Sequence, residues 1–121
     1  MSELPLFKSL AEFYPYYLSE HSLKSTRNTH FIGTTLFFVI LIIAVKNGQY
    51  SLLWFLPLAG YGFAWFGHFF FEKNKPATFK YPFYSLISDF IMFWHIISFQ
   101  INEKMEEAMQ KYPKGQARRL I

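Results

Sequence analysis

The chain contains no cysteine and little charge. Without cysteine there are no disulfides, no thiolate metal sites and no thiol catalysis. Charged residues make up 17% of the 121 positions, against roughly 25% in an ordinary soluble domain. A basic tract able to follow a phosphate backbone is also missing. The net charge is +4, but the lysines and arginines are scattered and read as membrane-flank charges, so no nucleic-acid partner is expected. There is no glycine-rich phosphate loop, no nucleophilic-serine motif, and none of the clustered HxxHH boxes that di-iron membrane desaturases use. The stretch Met1–Leu10 carries Glu3 and lacks a basic region leading into an apolar core, so no cleavable signal peptide is expected.

What the chain has in excess is apolar and aromatic surface. Apolar residues reach 52% and aromatics 22%, with 16 phenylalanines. A soluble domain of this size keeps much of its surface exposed and has too little interior for so many large rings. Lipid removes that conflict. The expected fold is therefore all-α, a single integral-membrane helical bundle.

Along the chain, Leu6, Phe7, Leu10, Phe13, Tyr14, Tyr17 and Leu18 fall at helical spacing, opposite Lys8, Glu12 and Ser19. Residues 6–19 suit an interfacial helix with its aromatic face toward lipid, kinked or interrupted by Pro15. Residues 29–46 form a first span, just long enough at ~18 residues or ~27 Å. A tight turn at Lys46–Gln49 leads to a second span, 49–71, in which Gly60 and Ala64 offer a small-residue packing face. Residues 81–101 form a third membrane helix, crossing or re-entrant, and 102–121 a soluble tail. Lys24 and Arg27 precede the hairpin and Lys73, Lys75 and Lys80 follow it, whereas the hairpin tip carries only Lys46. The positive-inside rule places both connectors in the cytoplasm. The tyrosines and tryptophans read mostly as an interfacial aromatic belt.

There are four histidines. His21 lies in the first connector, His30 at the mouth of the first span, and His68 where the second span returns to the same face. Two or three histidines with one carboxylate and open positions suit non-haem Fe(II). Glu72, four residues after His68, shares its helix face. One interfacial histidine is more often a hydrogen-bonded side chain than a ligand, and three on one face bring the two readings level. His95, deep in the third segment, is a weaker candidate, as ligand or as partner to a polar neighbour. Asp89 reads equally as a helix–helix hydrogen-bonding residue or as part of a polar cavity.

His21, then His30-Phe31-Ile32-Gly33-Thr34, Leu56-Pro57-Leu58-Ala59-Gly60-Tyr61-Gly62, and Gly67-His68-Phe69-Phe70-Phe71-Glu72-Lys73-Asn74-Lys75-Pro76-Ala77 closely resemble a family of small membrane proteins. Its fungal founding member is a 2-hydroxy fatty acid dioxygenase of the endoplasmic reticulum, acting in phytosphingosine breakdown. The resemblance covers about residues 10 to 95, and the GHxxxExxxPA block is its most specific part. It implies Fe(II)-dependent alpha-oxidation, in which a 2-hydroxy fatty acid and O₂ give the one-carbon-shorter acid and CO₂. By motif position the implied metal residues are His21, His30 and His68, with Glu72 beside them. Gly33, Gly67 and Pro76 are structural members of the motifs. Arg27, Lys24 and Lys75 are candidates to neutralise the substrate carboxylate, and each is equally explained as positive-inside charge. Eukaryotic relatives often carry Asn four residues before the second histidine, where this chain has Thr26.

The resemblance and the short length imply a bacterial-type member in the inner membrane; a eukaryotic one would sit in the endoplasmic reticulum. In either case the metal site lies at the cytoplasmic face. The expected partners are the bilayer, a fatty-acid-like substrate and O₂, and an oligomer is compatible with the sequence. Two other readings stay open. One is a haem-binding electron-transfer subunit with paired histidines. The other is a metal-free lipid-binding or scaffolding protein.

Overall fold

The computed structural model describes residues 7–113; the readings placed on Met1–Leu6 and on Lys114, Arg118 and Arg119 lie outside the described residues. Helix α1 (Leu10–Ser19) starts at Ser9, whose hydroxyl accepts the Glu12 N–H, and Glu12 adds negative charge to the positive helix end. Pro15 sits inside α1 without interrupting it. Helix α2 (Lys24–Lys46) runs to a turn at Gly48, whose φ of 65° is easy for glycine. The chain returns through a 3₁₀ segment, Tyr50–Phe55, and helix α3 (Leu56–Phe66), which has Pro57 in its first turn. At Gly67–Glu72 the backbone widens into a π-helical turn, closed by Lys73 in the left-handed region. A short 3₁₀ turn, Ala77–Phe79, follows the buried Pro76 and leads to α4 (Pro82–Ile97) and α5 (Ile101–Lys111).

The described chain is thus all-helical, as composition implied. The second apolar run is one continuous path built from three helical geometries rather than one uniform helix. The third run breaks at Phe99, which has a φ of 63°, so α4 ends before Ile101 and α5 starts a new direction. By length and composition, α2 is the one described helix long and apolar enough to cross a membrane, with α4 a shorter apolar helix of 16 residues.

Two contacts fix the arrangement. Helices α2 and α3 approach closely at Gly33, where an added Cβ would lie 2.7 Å from the Ala59 carbonyl oxygen and 3.0 Å from Phe63 Cβ. Gly60 does not make that contact: a Cβ there would meet only Phe37, at 3.9 Å. The second contact corrects the reading of α1. Its aromatic face does not point outward. Phe13, Tyr16, Tyr17 and Leu18 form the main buried core with Met92 of α4 and with Met105 and Ala108 of α5. Tyr81 and Tyr84 ring Phe13 in the same cluster, so these tyrosines are core rather than belt. The apolar stripe of α5, in a segment read as a solvated tail, supplies the surface that α1 needs.

Candidate metal centre

His21, His30 and His68 come together. His21 sits in the turn after α1, held by its N–H to the Leu18 carbonyl; His30 is two turns into α2; His68 lies in the π-helical turn. All three are buried, and their candidate ligand atoms lie within 4.8 Å of one another. Nε2 of His30 is 3.0 Å from Nε2 of His21 and 3.3 Å from Nε2 of His68.

The opposite edges of His21 and His68 meet carbonyl oxygens, which fixes the Nδ1 proton on those two rings. Nδ1 of His21 donates to the Tyr17 carbonyl at 2.6 Å. Nδ1 of His68 donates to Asn74 Oδ1 at 2.7 Å, and the Asn74 amide nitrogen donates in turn to Glu20. Nδ1 of His30 faces Asp89 Oδ1 at 3.5 Å, and the same carboxylate oxygen accepts from the Tyr17 hydroxyl. A neutral imidazole with its proton on Nδ1 presents a lone pair at Nε2. At His21 and His68 that lone pair faces Nε2 of His30, across 3.0 and 3.3 Å. A cation among them would be held by all three nitrogens.

The spacing suits one. Two nitrogens ~2.1 Å from a shared metal, at about a right angle, stand ~3 Å apart. Burial, and then the neighbouring His68 and His30, lower the His21 pKa well below its usual value, which keeps it in the neutral, ligating form. Burial and the adjacent Asp89 raise the Tyr17 phenol pKa, so it remains a donor to that carboxylate. An acceptor behind each ligating histidine is the usual support of a metal site. The residues present fit a first-row divalent metal.

A family model described as 2-hydroxy-palmitic acid dioxygenase Mpo1-like matches residues 7–101. The chain belongs to the Mpo1-like family. The matched region includes all three histidines and their Nδ1 partners and stops where α5 begins. No curated protein and no solved structure matches this Mpo1-like chain.

The other candidates lie around this centre. Glu72, only 1% exposed, accepts from the Ser22 hydroxyl at 2.6 Å, the Leu23 N–H at 3.0 Å and the Thr26 hydroxyl at 2.8 Å. It is thus engaged at the N-terminal end of α2, which has no side-chain cap of its own. Thr26 is one of its donors. His95 is bonded to the Tyr14 hydroxyl at 2.7 Å and is outside the histidine cluster. Arg27 donates to the carbonyls of His21 and Ser22 at 2.8 and 2.9 Å, pinning the backbone at one of the clustered histidines. Lys24 and Lys75 are exposed. Gly67 is tight against Thr29 and Thr26, so the π-helical turn rests directly on α2.

Sequence reading missed Asn74 and Tyr17 as supports of the histidines. Asn74 stands inside the GHxxxExxxPA block, which is the only signal that could have drawn attention to it.

Proposed function

We propose that this protein is a membrane-embedded, Fe(II)-dependent dioxygenase that carries out alpha-oxidation of 2-hydroxy fatty acids. The observation carrying the reading is the convergence of three buried histidines, two of them held by an acceptor on Nδ1 and the third facing Asp89, in a chain of the Mpo1-like family. In the overall reaction the bond between C1 and C2 breaks. C1 leaves as CO₂, C2 is oxidised to the new carboxyl, and O₂ is reduced to carboxyl oxygen and water. The substrate supplies all the electrons, so no external reductant is needed.

Iron bound here would supply oxygen activation and an anchor for the hydroxyl and carboxylate of the substrate. The chain's own part is positional. Tyr17 and Asp89 hold the His30 ring, Asn74 and Glu20 hold His68, and Arg27 holds the peptide after His21. A set of three histidines leaves positions free for substrate. Glu72 and His95 act outside the ligand set, the first by joining the π-helical turn to α2 and the second by joining α4 to α1. The exposed Lys24 and Lys75 would add positive charge to this end of the molecule and favour arrival of a carboxylate.

Membrane embedding rests on the outward surface. Trp54 is 85% exposed, Leu58 67% and Phe83 78%, on helices that carry few charges. The α2–α3 hairpin and α4 would lie in the bilayer, with the metal centre and the basic connectors at the cytoplasmic face. A haem reading finds no support, because nitrogens 3.0 and 3.3 Å apart leave no room for a porphyrin between two of them.

The test is metal analysis of protein purified without oxygen in detergent, followed by O₂ uptake and CO₂ release with a 2-hydroxy fatty acid. The expected result is one iron per chain and matched consumption and release. Metal-free protein, or iron-loaded protein inert toward 2-hydroxy acids, overturns the reading.

A further inference from the structure

Beside the histidines, α2, α3 and α4 enclose a cavity of about 260 Å³. His30 and Asp89 line its metal end, and Thr34 lies one helical turn farther along α2. From there on Phe37, Leu56 and Phe90 make the walls predominantly apolar. The cavity extends at least from His30 to Phe37, ~10 Å along the α2 axis. It is open to the outside, and two of its lining residues, Pro57 and Leu86, are exposed. Protein interiors are packed to near crystal density, and a void many times the ~30 Å³ share of one water is not a packing defect. Gly60 lines it, and a Cβ added there would meet nothing closer than Phe37 at 3.9 Å.

We propose that this cavity is the binding site for the alkyl chain of the substrate, and that the absence of a side chain at Gly60 makes room for it. The inference rests on the dioxygenase reading and adds where the substrate lies. The head group meets the histidine end, the first part of the chain runs along α2 between Phe37 and Gly60, and the remainder leaves beside Leu86 toward lipid. The polar-to-apolar gradient along the cavity matches an acid that is polar at one end only. A second cavity, of about 480 Å³ between α1, α4 and α5, carries Lys104, Glu107 and Lys111 and touches none of the three clustered histidines. It serves as the internal control.

The experiment is photo-crosslinking of iron-loaded, oxygen-free protein with a long-chain 2-hydroxy fatty acid bearing a diazirine on its chain, with the attached peptide mapped by mass spectrometry. Labelling of α2, α3 or α4 at the cavity wall, competed by unlabelled 2-hydroxy acid and weaker for the probe lacking the hydroxyl, is expected. Gly60→Leu fills the cavity and should cut labelling roughly tenfold or more, with iron content retained, whereas Gly60→Ala should label like the parent. Mapping to the α1–α4–α5 groove, or equal labelling by the probe lacking the hydroxyl, overturns the proposal without needing any variant to fold. Undiminished labelling of a folded, iron-loaded Gly60→Leu protein overturns it too. If the parent protein holds no iron yet labels at the cavity wall in a hydroxyl- and Gly60-dependent way, the chain site stands and the dioxygenase reading falls.

Discussion

Asn74 joins His68 to the end of the first helix: its amide oxygen accepts from Nδ1 of His68 at 2.7 Å while its amide nitrogen donates to the Glu20 carbonyl at 3.1 Å. One side chain thereby orients the ring of a clustered histidine and ties the segment after α3 to the segment before α2. His21 is the next residue after Glu20, so the same amide helps set the position of two of the three clustered histidines.

Asn74→Leu should therefore weaken metal binding without removing any ligand. Loss of an outer partner of a ligating histidine typically costs 10- to 100-fold in affinity. Competition against a metal chelator measures this. Affinity equal to the parent would show that the Asn74 contact does not orient His68.

His30→Ala and His68→Ala should each abolish stoichiometric metal and turnover, while His95→Gln should retain both. His95 bonds Tyr14 and is outside the cluster. Metal analysis of the three variants separates the ligand set from the spare histidine, and metal loss in His95→Gln would place that residue in the ligand set.

Glu72→Ala should lower the thermal midpoint clearly, because it strands the Leu23 N–H and the Ser22 and Thr26 hydroxyls. Hydrogen bonds to a charged group contribute about 1.5–3 kcal/mol each, so a loss on the order of 3 kcal/mol is expected. Glu72→Gln keeps an acceptor oxygen and should lose less, with one metal per chain retained. Loss of metal from a folded Glu72→Gln protein would make the carboxylate a ligand.

Gly33→Leu should destabilise the α2–α3 pair by about 1–3 kcal/mol or more, since its Cβ already meets the Ala59 carbonyl oxygen at 2.7 Å and the helices must part. Thermal unfolding in detergent reads it, and an unchanged midpoint would rule out the tight approach.

How far the sequence reached can be judged residue by residue. Helical class followed from the apolar runs, and the meeting of His21, His30 and His68 followed from a hairpin that returns to its starting face. Both depend on local periodicity and chain direction. The bond from Tyr17 to Asp89 joins positions 72 apart and that from Tyr14 to His95 positions 81 apart. No periodicity encodes such pairs. The aromatic face of α1 was assigned to lipid because its true cover, α5, looks polar when averaged, although Met105 and Ala108 lie together on one side. The i, i+4 spacing puts Glu72 near His68, but its hydrogen bonds to Ser22, Leu23 and Thr26 join positions 46 to 50 apart and leave no periodic trace.

The three histidines belong to stretches of chain that cannot meet until the hairpin has closed, with His30 and His68 38 positions apart. During synthesis, His21 and His30 leave the ribosome first and form only part of the site. A cation retained by all three nitrogens therefore fastens the connectors together and offsets the entropy of closing that loop. Any cation held by all three would then bind only after closure, and a chain arrested before the second apolar segment has returned would be marked by its inability to hold the ion.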